Sequence, residues 1–391
     1  MNSHDDNAPA PGAPASRSVC PRSTAALGVA CDSKPTDMPF DVKALDAAGL
    51  RRLATSLGQS HYRASQLARW LYARRARSFD EMTDLPKSLR ATLNEQCALF
   101  YPLVVQRHVS EDGTRKLLLQ LSDGAFVECV GIPSGENRLT VCYSTQVGCA
   151  MGCLMCATGR SGLTRSLTTG EMLDQLNVVA EDFSEPDQVR VTNAVAMGQG
   201  EPFANYDALL AALRLMNDPE LLGIGARRLS VSTCGLLRQI GRFGDEPEQF
   251  TLAVSLHSAV QATRDLLLPR LSAQPLTDLR SALVRYRLKS GRRPTLEFAL
   301  VKGINDTDQE LEALLAFCAG AGAYLDGGIL DAHVNLIPLN VVDHLNWKPA
   351  TAGRVKEFGA ALASAGVEVS VRASRGGDIA AACGQLAATK K

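Results

Sequence analysis

The spacing of apolar residues changes along this chain, and each change marks the border of a predicted region. Residues 1–40 are rich in Ala, Pro, Ser and Asp and show no period, which predicts a disordered tail. From about residue 41 apolar residues recur at helical spacing, so we expect a small helical domain over residues 41–100.

Four short β-rich runs follow the helical region: Leu103–Val109, Lys116–Leu121, Phe126–Ile132 and Leu139–Tyr143. Asp-Gly turn pairs at 112–113 and 123–124 separate the first three runs, which predicts antiparallel pairing between them. We therefore expect a β-rich linker region over residues 101–134.

From Leu139 onward strand-like and helix-like segments alternate, which predicts a parallel sheet covered by helices. The predicted strands lie near 139–144, 190–197, 228–233, 250–256, 295–301, 332–338 and 367–372. Amphipathic helices between them include Thr169–Glu181, Tyr206–Met216, Thr277–Lys289 and Asp308–Ala319. Six such units before a last strand favour an open, partial barrel over residues 135–376, followed by a C-terminal segment over residues 377–391.

Composition narrows the class of protein. The 391 residues are 46% hydrophobic and 21% charged, which is typical of a globular chain with one large and one small domain. The formal net charge is zero, so any nucleic-acid partner must be met by a local basic face. We find no apolar run of the roughly 18 to 20 residues that a membrane span needs and no signal-peptide profile. Eleven dispersed cysteines indicate a reducing cytoplasm.

One candidate basic face lies on a helix predicted from Tyr62 to Phe79, which has no acidic residue before Asp80. It carries Arg63, Arg69, Arg74, Arg75 and Arg77. Either this face is merely solvated or it contacts RNA phosphates, and both interpretations stay open. Four further arginines are candidates for holding an RNA backbone: Arg227, Arg228, Arg292 and Arg293.

The strongest chemical signal is the spacing C-x3-C-x2-C of Cys149, Cys153 and Cys156. A structural zinc site and most ferredoxin-type clusters need four protein ligands. Three thiolates on a [4Fe–4S] cluster leave one iron open, and radical-SAM enzymes bind S-adenosylmethionine (SAM) at that iron. The alternative is a zinc knuckle completed by Cys142 or a distant His.

Polar and glycine-rich residues follow the predicted strands at Gly198–Pro202, Ser232–Gly235, Ser255–His257 and Asn340. In parallel α/β folds the carboxyl ends of the strands assemble the active site, so we expect these residues on one rim. Glycines allow a ligand to approach the backbone, and Glu201 is a candidate to accept a hydrogen bond from the SAM amino group.

Two further cysteines, Cys142 and Cys383, lie outside the three-cysteine motif. They are either a nucleophile and resolving pair that forms a transient disulfide or two ordinary reduced cysteines.

Together, five segments resemble the RlmN/Cfr family of radical-SAM RNA adenosine methyltransferases. They are Cys142–Cys156, Gly198–Pro202, Ser255–His257, Asn335–Asn340 and Asp378–Leu386. The resemblance runs from about Phe126 to Leu386, with a weaker helical likeness from about residue 41. It implies a partial (β/α)6 radical-SAM barrel with a small N-terminal helical, RNA-binding domain, one [4Fe–4S] cluster and SAM.

The resemblance also implies a role for each site residue. Cys383 takes a methyl group from SAM, a radical activates that methyl for addition to an adenine carbon, and Cys142 releases the product by forming a disulfide with Cys383. Glu128 is implied as the proton acceptor. The implied SAM-binding residues are Gly200, Glu201, Ser232, Ser255, Leu256, His257 and Asn340. Gln199 stands where the family usually has Met, which leaves the glycines and Glu201 intact.

The leading hypothesis is methylation of C2 of an adenosine in 23S rRNA, with tRNA as a second candidate and flavodoxin or ferredoxin as electron donor. The alternatives are methylation of C8, a radical-SAM activase or mutase, and a zinc-dependent RNA-binding module. The activase or mutase leaves Cys142 and Cys383 without a role, and the zinc-dependent module predicts a protein that contains zinc and no iron.

Overall fold

The computed structural model describes residues 40–135, 138–184, 190–325, 328–342 and 344–387. The predicted tail therefore lies outside the described residues, apart from Phe40, and so does the end of the C-terminal segment. Within the described ranges, no helix is both long and apolar enough to cross a membrane.

The N-terminal region is a small helical domain, as the apolar spacing predicts. Its elements are strand β1 Phe40–Asp41, helices α1 Ala47–Ser56, α2 His61–Ala68 and α3 Lys87–Gln96, and strand β2 Cys97–Ala98. The helix predicted to reach Phe79 ends earlier, because α2 passes into a π-helical turn at Arg69–Ala73 and Arg75 then takes a left-handed backbone angle, φ 54°. Leu67 and Leu71 are buried, as their shared face predicts.

Four antiparallel strands come next: β3 Leu103–Val109, β4 Arg115–Gln120, β5 Phe126–Ser134 and β6 Arg138–Cys142. Each pairs with the next in antiparallel fashion, which confirms the pairing that the Asp-Gly turns predict. These strands extend the same ten-stranded sheet that forms the barrel, so the β-rich region is continuous with the core in hydrogen bonding.

Beyond β6 the chain forms a short antiparallel pair and then the parallel part of the sheet. The pair is β7 Gln146–Gly148 with β8 Leu163–Ser166, and α4 Ala157–Arg160 lies between them. The remaining strands are β9 Val191–Ala196, β10 Leu229–Thr233, β11 Thr251–Ser255, β12 Thr295–Leu300, β13 His333–Pro338 and β14 Glu368–Val371. The remaining helices are α5 Thr169–Asp182, α6 Tyr206–Asn217, α7 Leu237–Asp245, α8 Gln261–Leu267, α9 Leu276–Ser290, α10 Asp308–Ala319 and α11 Ala352–Ser364.

The sheet order is β14-β13-β12-β11-β10-β9-β6-β5-β4-β3, and every pair from β6 to β14 is parallel. In the described part of the chain the edge strands β3 and β14 do not pair with each other, so the sheet stays open. This confirms the predicted α/β class and the partial (β/α)6 barrel with its N-terminal helical domain.

A buried ion pair joins the helical domain to the barrel. Lys43, which is 1% exposed, donates to the Asp174 carboxylate on α5 and to the carbonyl oxygen of Phe100. Burial raises the pKa of Asp174 to about 7, and the positive charge of Lys43 opposes that rise. Asp41 approaches α5 so closely that a Cβ atom at Gly170 would lie 2.1 Å from its carboxylate. The docking of the two regions therefore depends on a charge pair removed from water.

We expect Lys43→Met to lower the free energy of unfolding by about 3–5 kcal/mol, because it leaves the Asp174 carboxylate buried without its partner. The double variant Lys43→Met/Asp174→Leu removes both charges and should recover most of that loss. Urea unfolding followed by circular dichroism measures both values.

The exposed pair Arg51–Glu220 provides the matched control, and Arg51→Met should change stability by about 1 kcal/mol or less. If the double variant loses as much stability as Lys43→Met alone, the two charges are not coupled in this way.

Candidate active site

The carboxyl ends of the parallel strands enclose a cavity of about 1000 Å³, part of it open to solvent. Ten of the residues that the sequence singled out line it: Cys149, Cys153, Cys156, Gly200, Glu201, Ser232, Ser255, His257, Asn340 and Cys383. They come from loops far apart in the chain, and the shared direction of the strands brings them together.

The three-cysteine loop is held by backbone bonds at both ends. The Cys149 N–H donates to the carbonyl of Gly162 at 2.8 Å, and the Leu154 N–H donates to the carbonyl of Leu267 at 3.1 Å. Gly148 has a φ of +77°, and a Cβ there would lie 2.0 Å from the Gly162 oxygen, so only glycine allows this close approach. The loop is thus fixed with its thiols in the cavity wall.

The number and type of the donors fit an iron–sulfur cluster, because three thiolates leave one of its four irons open. Among the residues that the structure describes, no group of three or more His, Cys, Asp and Glu side chains converges closely enough to hold one ion. In a [4Fe–4S] cluster each thiolate binds a different iron, so three thiols spaced around a cavity are an appropriate donor set.

Glu201 is presented to the cavity by two backbone amides. Its carboxylate accepts from the N–H groups of Phe203 at 3.0 Å and Cys234 at 2.8 Å, while burial raises its pKa. Gly200 has a φ of +104°, and a Cβ there would lie 2.6 Å from the Gln146 side chain. A buried carboxylate held in this way is suited to receive an ammonium group.

His257 is a neutral hydrogen-bonding group rather than a charged one. Burial lowers its pKa to about 3, and the nearby Arg264 charge lowers it further. Its Nδ1 accepts from the Ala299 N–H at 3.1 Å, which assigns the ring proton to Nε2. The residue also has a left-handed φ of 56°, a strained angle that the Asn305 side chain supports by donating to the His257 carbonyl at 2.6 Å.

The other predicted SAM-binding residues differ in their burial and in their hydrogen-bonding groups. Ser232 and Ser255 place their hydroxyl oxygens 3.5 Å apart on neighbouring strands. The Leu256 side chain is fully buried in the core, and its backbone N–H donates to the Glu297 carbonyl at 3.0 Å. Asn340 donates to the carbonyl of Cys383 at 3.0 Å and accepts from Ser374 at 2.6 Å, so here it holds the C-terminal segment.

Cys142 and Cys383 line an adjoining cavity of about 1120 Å³, which shares Met197, Gly198, Arg372 and Cys383 with the first. Burial raises the pKa of the Cys142 thiol to about 12, and the charge of Cys383 adds to that rise. Burial also raises the pKa of Cys383, while the Arg372 guanidinium opposes it. Cys142 is only 8% exposed, whereas Cys383 is exposed to the cavity.

The C-terminal segment is fastened to the helix that follows the three-cysteine loop. The carbonyl of Gly384 accepts from the Ala157 N–H at 2.7 Å, and that of Leu386 accepts from the Thr158 hydroxyl at 2.6 Å. These bonds place Cys383 between the two cavities.

Glu128 lies on β5 and lines a third cavity with Lys116, His108 and Arg160. Its carboxylate pairs with Lys116 at 3.1 Å and accepts from the Ala387 N–H at 2.7 Å. The structure therefore places it against the C-terminal segment. Its own backbone N–H donates to the side-chain oxygen of Gln199 at 3.0 Å, so the residue that departs from the family pattern anchors Glu128.

Sequence reasoning missed two residues of the site. Arg372 immediately follows β14 and lines both the cavity of the three-cysteine loop and the adjoining cavity of Cys142. The nearby Cys383 is the main cause of the raised pKa of Arg372. Cys234 lies in a run that the sequence singled out, but the residue received no role. Its thiol lies 3.7 Å from that of Cys153. The position of both residues directly after a strand was the available signal.

Several arginines that the sequence suggests as RNA contacts are already paired or stacked within the protein. Arg74 stacks over Trp70 with 4.2 Å to the ring centre, and Arg77 pairs with Glu181 at 2.7 Å. The prediction of an RNA contact is wrong for Arg292, which is 7% exposed and donates to the carbonyls of Glu248, Phe250 and Phe243. Arg293 pairs with Asp331 and Glu368. An RNA contact by the arginines from 63 to 77 stays a prediction.

Two family models match this chain. Residues 40–99 match the ribosomal RNA large subunit methyltransferase N-terminal domain, and residues 143–318 match the radical SAM superfamily.

Known relatives align with this chain over most of its length and over most of their own. A probable dual-specificity RNA methyltransferase RlmN 3 of Opitutus terrae is 44% identical over 84% of this chain and 89% of its own length. A probable dual-specificity RNA methyltransferase RlmN of Moorella thermoacetica is 42% identical over 89% of this chain and 97% of its own length. The crystal structure of a radical SAM methyltransferase from Sphaerobacter thermophilus has a TM-score of 0.83 at 41% identity and covers 90% of this chain and all of its own.

We expect Arg372→Met to slow alkylation of Cys383 by iodoacetamide at pH 8, because loss of the cation raises the pKa of the thiol and leaves less thiolate. Each unit of that rise slows the reaction about tenfold. For the unchanged protein the rate should increase with pH through 8 and 9, since its raised pKa keeps Cys383 mostly protonated there. Peptide mass spectrometry under anaerobic conditions measures the rate at each cysteine.

Arg375→Met provides the control, because Arg375 lies three residues away and faces Asp112 instead. Equal Cys383 rates in the Arg372→Met and unchanged proteins would contradict the assignment of Arg372 as the stabilising cation.

Proposed function

The chain belongs to the RlmN family of radical-SAM RNA methyltransferases, and from this premise we propose that it methylates C2 of an adenosine in 23S rRNA through a methyl group carried on Cys383. We propose tRNA as a second substrate, in line with the dual-specificity names of its relatives. One observation carries the proposal. Cys383 lines both the cavity that contains the three-cysteine loop and the cavity that contains Cys142.

The chemistry explains why a carrier sulfur is useful. C2 of adenine is an electron-poor sp² carbon and is too weak a nucleophile to displace a methyl group from SAM. A thiolate is a strong nucleophile, so Cys383 attacks the methyl carbon of one SAM, forms an S–C bond and releases S-adenosylhomocysteine. Burial disfavours the thiolate that this step needs, and the Arg372 charge favours it.

Cys149, Cys153 and Cys156 would hold a [4Fe–4S] cluster, which with a bound SAM supplies the radical that removes hydrogen from the methyl group on Cys383. Glu201 offers its buried carboxylate to the amino group of SAM. His257 offers a neutral ring N–H, and the Ser232 and Ser255 hydroxyls offer hydrogen bonds to polar groups of SAM. The cluster requires an external electron donor, for which we propose flavodoxin or ferredoxin.

Release of the product assigns roles to Cys142 and Glu128. Once the carbon on Cys383 is bonded to the base and the adduct has given up its unpaired electron to the oxidised cluster, the Cys142 thiolate would attack the Cys383 sulfur. The S–C bond would then break with its electron pair on the carbon, which takes up a proton to become the methyl group, while Cys142 and Cys383 form a disulfide. An external thiol reductant must reduce this disulfide before the next turnover. A proton must also leave the base carbon, and we propose Glu128 as its acceptor. Because the Glu128 carboxylate is bonded to the Ala387 N–H and to Lys116, the C-terminal segment must shift before this carboxylate meets the base.

The direct test is nucleoside mass spectrometry of an rRNA substrate incubated with anaerobically reconstituted protein, SAM and a reductant. We expect 2-methyladenosine with the unchanged protein and none with Cys383→Ala, because the variant has no carrier sulfur. 8-Methyladenosine would assign the C8 activity instead. Turnover that survives Cys383→Ala would contradict the carrier mechanism.

We expect Cys142→Ala to trap RNA on the protein, because the carbon bridge to Cys383 then has no thiol to break it. A protein–RNA band that withstands denaturing electrophoresis and dithiothreitol should accumulate, with multiple turnover lost. Cys129→Ala is the matched control, since Cys129 is a fully buried cysteine on β5 with no proposed role. Multiple turnover by Cys142→Ala would exclude Cys142 as the resolving thiol.

A further inference from the structure

A fourth cysteine lies against the three-cysteine loop. The Sγ atom of Cys234 is 3.7 Å from the Sγ atom of Cys153, a distance at which one sulfur can donate a hydrogen bond to the other. Both residues line the cavity at the carboxyl ends of the strands. The two sulfurs are separated by 81 positions in sequence, so the contact is a product of the fold.

The position of Cys234 is fixed from both sides. Its N–H donates to Glu201 at 2.8 Å, and its carbonyl accepts from the guanidinium of Arg264 at 2.6 Å. Arg264 is 2% exposed and also donates to the carbonyl of Ser255 at 2.9 Å, so it joins the ends of two strands. Gly235 follows with a φ of +112°, which turns the chain away directly after the thiol. The thiol is therefore held in place beside Cys153.

A role for Cys234 as a fourth ligand of the cluster would conflict with the chemistry of the site. Cys149, Cys153 and Cys156 already provide three thiolates, and the fourth iron of the proposed cluster must stay open for SAM. A thiolate from Cys234 would close that position. A neutral S–H group, in contrast, can donate to the Cys153 sulfur without touching the iron.

Resting on the proposed function, we propose that the Cys234 thiol donates a hydrogen bond to the iron-bound sulfur of Cys153 and thereby raises the reduction potential of the cluster. Reduction adds one negative charge to the cluster, part of which lies on the ligand sulfurs. A hydrogen-bond donor stabilises that charge, and hydrogen bonds to the sulfurs are an established determinant of cluster potential. Cys234 would act as a positioning residue that makes the cluster easier for its electron donor to reduce.

The test is a redox titration of the anaerobically reconstituted protein, followed by electron paramagnetic resonance (EPR) of the reduced cluster, with iron counted per chain. Cys234→Ala removes the donor and should shift the midpoint to a more negative value. A tenfold loss in the equilibrium constant for reduction corresponds to 59 mV for one electron. Cys234→Ser keeps a donor and should retain the midpoint of the unchanged protein or exceed it. Cys318→Ala, which removes a buried thiol from α10, should leave the midpoint unchanged.

Two results would overturn the inference. The first is a Cys234→Ala midpoint equal to that of the unchanged protein, or shifted equally in the Ala and Ser variants. The second is a lower iron count or a three-iron signal in Cys234→Ala, which would make Cys234 a ligand. Failure of the unchanged protein to assemble a four-iron cluster would instead refute the cofactor in the proposed function. The titration uses no RNA, so it does not depend on the identity of the methylated carbon.

Discussion

The common direction of seven parallel strands, β6 and β9 to β14, is the constraint on which the rest of the structure depends. Because parallel strands end at one edge of the sheet, each loop that follows a strand reaches the same place. The three-cysteine loop, Glu201, His257 and Arg372 meet there although the chain separates them by more than 200 residues. Buried groups then fix the edge itself, since Arg264 joins the loops after β10 and β11 through their carbonyls.

Burial at this edge shifts the pKa of several groups that line the cavities. It raises the pKa of Cys142 and Cys383 and lowers that of His257, so these side chains are mainly neutral until a charge or a ligand acts on them. Arg372 provides such a charge beside Cys383. Local charge therefore changes how readily each thiol ionises.

The elements outside the barrel are attached to it from opposite ends of the chain. The helical domain is attached to α5 by the buried pair of Lys43 and Asp174. The C-terminal segment is attached to the three-cysteine loop region through Ala157 and Thr158, and to β5 through Glu128. Cys383 lies on the C-terminal segment. The hydrogen bonds that hold this segment must therefore break before the thiol can move from one cavity to the other.

Features that depend on near neighbours and on period could be predicted from the sequence. They are the antiparallel turns, the alternation of strands and helices from Leu139 onward, the open barrel and the three-cysteine motif. Residues placed directly after strands could also be assigned to one rim, because parallel strands leave no other arrangement. Which charges are buried or paired could not be predicted from the sequence, because it depends on how distant elements pack. The burial of Arg292, the pairing of Arg77 with Glu181 and the contact of Cys234 with Cys153 each join residues distant in the chain. Local periodicity cannot predict such contacts, since they arise only when separate elements pack together.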